Sequence, residues 1–146
     1  MAGEVPESKE LVLRVVFYRT EAGNEPVRQW LQGLKREDRK TIGQDVKTAQ
    51  YGWPLGMPLI RKLEPGLWEV RSHIAQGVAR VLFTVDHGVM VLLHGFVKKS
   101  QKTPLEELRT ARQRLADEGG RLDLRRLREE PDPCGFLLRQ LGALHR

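Results

Sequence analysis

The sequence has very little cysteine, few aromatic residues and no long apolar run. Its one cysteine, Cys134, cannot form a disulfide within a single chain, and the four histidines show no spacing typical of metal ligands. The longest apolar run, residues 89–93, is far shorter than the roughly 20 residues that a membrane-spanning helix requires. These absences argue against a disulfide scaffold, a structural metal site and a membrane-spanning protein.

The amino-terminal segment also lacks the features of a secretory signal. Residues 1–10 contain three Glu and one Lys and have no apolar core. We therefore expect a cytoplasmic protein whose first ten residues are flexible.

Positive charge is the most prominent property that is present. The net charge is +6, and the excess lies in residues 11–117, which contain 18 Lys and Arg against 11 Asp and Glu. A positive field of this size favours a polyanionic partner such as nucleic acid, through counterion release and steered encounter. Many domains are basic only for solubility, so charge alone leaves both interpretations open.

The first half of the chain predicts one strand followed by two helices. A β-branched and aromatic run over residues 11–19 predicts the strand. Apolar residues at three- and four-residue spacing then predict a helix near residues 26–34, and a second helical pattern runs over about 36–51. Gly52, Trp53 and Pro54 should end it.

The second half predicts a meander of strands and a last helix. Apolar runs at residues 60–72, 79–86 and 89–97 predict three antiparallel strands, the last two joined by a tight turn. Thr103 and Pro104 predict the start of a helix that continues to about residue 117. The predicted order is β-α-α-β-β-β-α, an α+β fold in one domain over residues 11–117.

The end of the chain differs in composition. Beyond Gly119 and Gly120 it is rich in Arg and Glu, and Leu residues recur at helical spacing over residues 136–144. We predict that residues 118–146 form a carboxy-terminal extension that is mobile or holds a short amphipathic helix.

Three stretches of the predicted strands resemble the RelE/ParE superfamily of bacterial toxins. They are residues 67–71, 80–83 and 92–104, and the last is the most specific. More narrowly, the chain resembles the HigB branch, which includes phage-derived relatives. The resemblance covers about residues 11–117.

The resemblance implies a RelE-like fold and a toxin function. The fold is a twisted antiparallel sheet with helices packed on one side. The function is that of the toxin in a type II toxin–antitoxin pair, which binds in the ribosomal decoding site and cleaves translated mRNA without a metal ion or other cofactor. A helix-turn-helix antitoxin would hold the toxin inactive.

Two arginines are the candidates for stabilising a phosphate during RNA cleavage. Attack by the 2′-hydroxyl requires positive charge around the phosphorane oxygens, and the planar guanidinium can bind two of them. Period-two alternation places Glu69 and Arg71 on one face of their strand, and Arg80 opens the next strand. Arg71 and Arg80 match basic strand positions of the family, although ion pairs with Glu69 or Asp86 are an alternative. We expect Arg80→Ala to lower activity and to leave the fold intact.

A cluster of lysines follows the last strand. Lys98, Lys99 and Lys102 are candidates for RNA binding, and Lys98 also for catalysis. The alternative is a solvated strand end whose charge protects the sheet edge from aggregation.

The sequence leaves the proton acceptor open. His94 is one candidate, because histidine is the residue type most used for proton transfer at neutral pH. A half-buried histidine with a packing role is the alternative. Glu69 could accept the proton or only orient Arg71, and a lysine crowded by other cations could also serve.

Two other functions fit the same fold. A ParE-like protein would poison gyrase without nuclease chemistry, and the lysine cluster argues against it. A catalytically inactive member of the fold would act as a binding or regulatory protein, with the carboxy-terminal extension covering the active face.

Overall fold

The computed structural model describes residues 13–54, 59–98 and 103–118. Its elements, in chain order, are β1 (Arg14–Phe17), α1 (Pro26–Gln32), α2 (Arg36–Gly52), β2 (Ile60–Glu64), β3 (Leu67–Ile74), β4 (Gly77–Asp86), β5 (Val89–Lys98) and α3 (Leu105–Glu118). The strands form one five-stranded sheet in the order β1-β5-β4-β3-β2. The predicted α+β class is confirmed. Residues 1–10 and nearly all of the extension over 118–146 lie outside the described residues.

The sheet is mixed, so the predicted all-antiparallel sheet is wrong. Strand β1 pairs with β5 in parallel, from Arg14 opposite Val89 to Phe17 opposite Leu92, whereas the other strand pairs are antiparallel. Val15 and Val16 point to opposite faces of β1, and each is 2% exposed. Burial on both faces is typical of parallel strands.

The predicted strand over residues 60–72 is in fact two strands, and the predicted order therefore lacks one. Strand β2 ends at Glu64 and β3 begins at Leu67, with Pro65 and Gly66 between them. Pro65 has no N–H to donate to a strand ladder, and Gly66 adopts a φ of +81°, which L side chains rarely adopt. The observed order is β-α-α-β-β-β-β-α.

The helices lie on both faces of the sheet rather than on the one side that was predicted. Helices α1 and α2 cover one face, where Val27, Ile42 and Val46 pack against Val81 and Met90. Helix α3 covers the opposite face of the sheet. There its apolar residues pack against the strand side chains that point away from α1 and α2. That second core contains Leu67, Leu82, Val91, Leu93, Phe96, Leu108, Ala111 and Leu115.

A bulge in β5 determines which side chains share a face with the rest of the candidate site. Leu82 pairs with His94 and Phe83 pairs with Leu92, so Leu93 is an extra residue on β5. The extra residue shifts the alternation by one position. As a result His94 and the residues two and four positions beyond it face the α3 side of the sheet.

Candidate functional site

The register of β3, β4 and β5 brings the predicted arginines side by side. Arg71 lies directly opposite Arg80, and Arg80 lies opposite Phe96 on β5. Glu69 lies one pair further along the same face, opposite Leu82. The expectation that Glu69 and Arg71 share a face is met, and Arg80 joins them.

The carboxylate of Glu69 is the centre of this group. Its Oε2 accepts a hydrogen bond from Arg80 Nη1 at 3.0 Å and lies 3.3 Å from Arg61 Nε and 4.0 Å from Arg71 Nε. Its Oε1 accepts a hydrogen bond from the Thr103 hydroxyl at 3.0 Å. We call these five residues the Glu69 cluster.

The arginines of the Glu69 cluster differ in exposure. The side chain of Arg80 is 0% exposed, that of Arg71 is 10% exposed and that of Arg61 is 32% exposed. Burial lowers the pKa of Arg80, and the charge of Glu69 opposes that effect, whereas the charges of Arg71 and Arg61 add to it. Arg80 therefore lies beneath the surface, Arg71 is largely buried with a small exposed part, and Arg61 is partly exposed.

The burial of Arg80 revises what replacing it should do. A buried ion pair that loses one partner leaves an uncompensated charge in a low-dielectric surrounding, which is strongly destabilising. Glu69 is also 0% exposed, and Arg80→Ala would remove its shortest ion-pair contact, so its buried charge would be less well compensated. The expectation that Arg80→Ala leaves the fold intact is not supported by this geometry.

The same face extends beyond Arg71 to the ends of the strands. His73 follows Arg71 by two positions and pairs with Val78, which in turn pairs with Lys98 on β5. His73 and Lys98 are both exposed. Lys98 therefore shares a face with the arginines, whereas Lys99 and Lys102 lie outside the described residues.

His94 lies in a different group of side chains. Leu82 separates it from Glu69 in the sheet register, and the apolar residues of α3 pack over Leu82. His94 Nε2 contacts Glu107 Oε1 at 2.5 Å, and Arg114 Nη1 lies 3.2 Å from His94 Nδ1. Because a guanidinium can only donate, Nδ1 accepts and Nε2 carries the ring proton toward Glu107.

This second group fixes α3 to the sheet. Arg114 Nη1 also donates to the carbonyl oxygen of Leu93 at 2.9 Å, and the Tyr18 hydroxyl donates to Asp117 Oδ2 at 2.6 Å. Burial lowers the pKa of Arg114, and the nearby Tyr18 opposes this. The contacts of His94 are therefore those of a histidine that links a strand to a helix.

The comparison with protein families identifies the chain. A family model described as phage-derived protein Gp49-like (DUF891) matches residues 29–116, which run from within α1 almost to the end of α3. The chain belongs to the Gp49-like family. Gp49-like proteins are associated with RelE/ParE-like toxins. No curated protein matches this Gp49-like chain.

Sequence reasoning missed two members of the Glu69 cluster in this Gp49-like protein. Arg61 pairs with Glu69 across β2 and β3, and Thr103 reaches Glu69 from the start of α3. The signal that could have identified Arg61 is the turn at Pro65 and Gly66. The sequence pattern predicts one strand over residues 60–72, so it does not predict that β2 folds back beside β3. A prediction of that turn would have placed Arg61 close to Glu69.

The described residues contain neither a group of potential metal ligands nor a helix suited to span a membrane. Over residues 13–54, 59–98 and 103–118, no three His, Cys, Asp or Glu side chains are grouped as ligands of a metal ion. No helix within those ranges combines the length and the hydropathy needed to cross a membrane.

Proposed function

We propose that this Gp49-like protein is the toxin of a type II toxin–antitoxin pair, in the HigB branch of the RelE/ParE superfamily, and that it cleaves translated mRNA at the ribosome. The observation that supports this most directly is the Glu69 cluster, in which three guanidiniums share one carboxylate on a sheet face that also carries Lys98. That face offers concentrated positive charge to a phosphodiester.

In this proposal the arginines stabilise the phosphorane that forms when the 2′-oxygen attacks phosphorus. Arg71 contacts the phosphate, because part of its side chain is exposed whereas Arg80 is fully buried. Arg80 acts from beneath, through its charge and through its hydrogen bond to Glu69. Such fixed charges need no reorganisation when the transition state forms. The proposed reaction requires no metal ion or other cofactor.

Glu69 orients the arginines in this proposal rather than accepting a proton. Its Oε2 faces three guanidiniums and its Oε1 accepts from Thr103, so both oxygens are occupied. Both oxygens therefore hold the arginines and Thr103 in place, and neither is directed at the proton of a 2′-hydroxyl.

The proton acceptor is proposed to come from the open part of the same face. Lys98 lies there and is exposed, whereas both ring nitrogens of His94 have partners on α3. Lys98, together with Lys99 and Lys102, would also bind the RNA backbone. His94 stays a sequence-based candidate that a variant can test.

The proposed partners are mRNA, the ribosome and a helix-turn-helix antitoxin, in the cytoplasm. The domain over residues 11–117 would carry the toxin function, with residues 118–146 as a carboxy-terminal extension. If the extension covers the active face, truncation after Asp117 should raise toxicity.

Induced expression without the antitoxin tests the function. We expect growth arrest, loss of protein synthesis and new mRNA 5′ ends within codons of translated regions. Growth arrest with intact transcripts and blocked replication would instead support the gyrase-poison alternative. Normal growth with a soluble protein would support the inactive binding protein.

A modified mRNA tests the chemistry. In a purified translation system, cleavage should yield a 2′,3′-cyclic phosphate and a 5′-hydroxyl, because the 2′-oxygen displaces the 5′-oxygen. A 2′-deoxy nucleotide at the cleaved position should abolish cutting there, and the same change two nucleotides away should not. Cleavage of the deoxy-substituted mRNA at its original position would contradict the mechanism.

A further inference from the structure

Arg61 is the member of the Glu69 cluster to which sequence and family give no role. It lies on β2 directly opposite Glu69, and its Nε is 3.3 Å from Glu69 Oε2. Its Nη2 donates to the Thr103 hydroxyl at 3.4 Å. Both contacts use the edge of the guanidinium that faces the protein, and 32% of the side chain is exposed.

Arg61 and Arg71 converge from two strands on one point. Both Nε atoms lie within 4.0 Å of the same oxygen, Glu69 Oε2. Two guanidiniums that lie so near one another would repel each other if no anion lay between them. The carboxylate of Glu69 therefore fixes their positions. The three arginines carry one positive charge each and Glu69 carries one negative charge, which leaves the cluster strongly cationic.

A phosphodiester matches this arrangement. It has two non-bridging oxygens, and each can accept hydrogen bonds from one guanidinium. Because the buried carboxylate of Glu69 already holds the two guanidiniums in position, the arginines lose little side-chain entropy when the anion binds. Arg61 and, to a smaller extent, Arg71 are the arginines of the cluster whose side chains have exposed area, so they are the two that a bound phosphodiester could contact.

We propose that Arg61 is a catalytic residue that contacts the scissile phosphate and, with Arg71, brackets its two non-bridging oxygens. This rests on the proposed function. As the O2′–P bond forms and the P–O5′ bond breaks, negative charge builds on those oxygens, and Arg61 stabilises it. The proton lost from O2′ ends on O5′, so the step needs no further reactant.

The test compares Arg61→Gln with Lys62→Gln in a single-turnover cleavage assay on programmed ribosomes. The two variants lose the same charge from adjacent positions of β2, but Lys62 pairs with Trp68 and faces the other side of the sheet. We expect Arg61→Gln to slow cleavage by on the order of 100-fold and to bind ribosomes as the wild type does. Lys62→Gln should cleave at the wild-type rate.

Two further measurements separate contact from a merely structural role. Replacing one non-bridging oxygen of the scissile phosphate by sulfur should slow the wild type, and that sulfur effect should shrink in Arg61→Gln because its contact is already lost. Arg61→Lys should restore only part of the rate, because an ammonium lacks the planar fork. Thermal unfolding of each variant checks that the fold is retained.

Each outcome has a definite meaning. Equal cleavage rates for Arg61→Gln and Lys62→Gln, in an assay where the wild type cleaves, would overturn the role of Arg61 and leave the proposed function standing. A slow Arg61→Gln with an undiminished sulfur effect would also overturn it. Failure of the wild type to cleave any mRNA would overturn the proposed function and this role together.

Discussion

At the scale of single residues, the buried carboxylate of Glu69 is the feature on which the candidate site depends. Burying a charge is costly unless other charges and hydrogen bonds compensate it. Glu69 has that compensation from three arginines and a threonine, and its own charge keeps Arg80 compensated in turn. The same contacts therefore serve both stability and the proposed chemistry.

Glu69→Ala should destabilise the protein by about 3–5 kcal/mol, because it removes the carboxylate that compensates the buried charge of Arg80. Urea unfolding followed by circular dichroism measures this. Glu64→Ala is the matched control, since Glu64 lies at the end of β2 in an exposed ion pair with Arg112 and such pairs contribute little. Equal losses for the two variants would show that burial of the pair is not what matters.

A double variant separates stability from function. Replacing a buried ion pair by apolar residues of similar volume is often neutral or stabilising. Glu69→Leu combined with Arg80→Met should therefore recover part of the stability that Glu69→Ala loses, although Arg61 and Arg71 still lack the carboxylate between them, and it should fail to cleave mRNA. A stable double variant that still cleaves would exclude Glu69 and Arg80 from catalysis.

The ion pair between Glu64 and Arg112 predicts a pH effect of known sign. Hydrogen bonds from Arg112 lower the pKa of Glu64 in the folded protein. A carboxyl whose pKa is lowered by folding stabilises the fold above its unfolded pKa, and the contribution is lost as the pH falls through the folded pKa. An NMR titration should place the pKa of Glu64 below the ordinary Glu value, and Arg112→Ala should raise it. An unchanged pKa in the variant would contradict the assignment.

Residue types and local spacing were enough to find part of the site. The alternation of β3 placed Glu69 and Arg71 together, and the family resemblance added Arg80. Nothing local in the sequence indicated that Arg80 is fully buried, because its burial depends on α3 and on neighbouring strands. The role of Thr103 was likewise hidden: it reads as a helix cap, yet its hydroxyl donates to Glu69 and α3 begins at Leu105.

At the scale of elements, the packing of α1 on β5 depends on one position without a side chain. A Cβ added at Gly95 would lie 2.3 Å from the Trp30 ring, far inside van der Waals contact. Trp30 occupies that space and packs against the core beneath α1 and α2. Gly95 is therefore required by close approach of the helix.

Gly95→Ala should destabilise the protein by about 1–3 kcal/mol, because α1 must move away from the sheet to relieve the overlap. Gly33→Ala is the matched control, since a Cβ at Gly33 meets nothing closer than 3.6 Å and its φ of −84° suits an alanine. Urea midpoints and tryptophan fluorescence measure both. A Gly95→Ala variant as stable as Gly33→Ala would contradict the packing described for Trp30.

The elements themselves were largely predictable, and their partners were not. Helices α1 and α2 and the hairpin between β4 and β5 follow from apolar periodicity and from the His87-Gly88 turn, where both residues have positive φ. The direction of β1, the face that α3 covers and the bulge at Leu93 were not predicted. Each of these is fixed by contacts between residues far apart in the chain, which a local pattern does not contain.

At the scale of the whole molecule, the distribution of positive charge should govern binding to the ribosome. Neutralising phosphates releases condensed counterions, so affinity falls as salt rises, with a slope set by the number of contacts. The net charge of +6 does not by itself say which cations make those contacts.

Lys98→Gln should weaken binding to the ribosome, because Lys98 lies on the proposed RNA face. The slope of log affinity against log salt concentration should fall by about the amount that one phosphate contact contributes. Lys40→Gln makes the same change in net charge on α2, which covers the opposite face of the sheet, and should leave the slope unchanged. Binding measured over a range of salt concentrations distinguishes them. The same slope for both variants would mean that total charge matters and the proposed face does not.

The sequence by itself determined the basic character of this protein, its α+β class, most of its helices and strands, and the residue types available for phosphate chemistry, since these depend on composition and short-range periodicity. Only the tertiary structure decided that Arg61 meets Glu69, that Arg80 is buried and that His94 belongs with α3. The reason is that strand register, a bulge and the choice of sheet face are set by packing between distant segments, and a shift of one residue reverses which side chains meet.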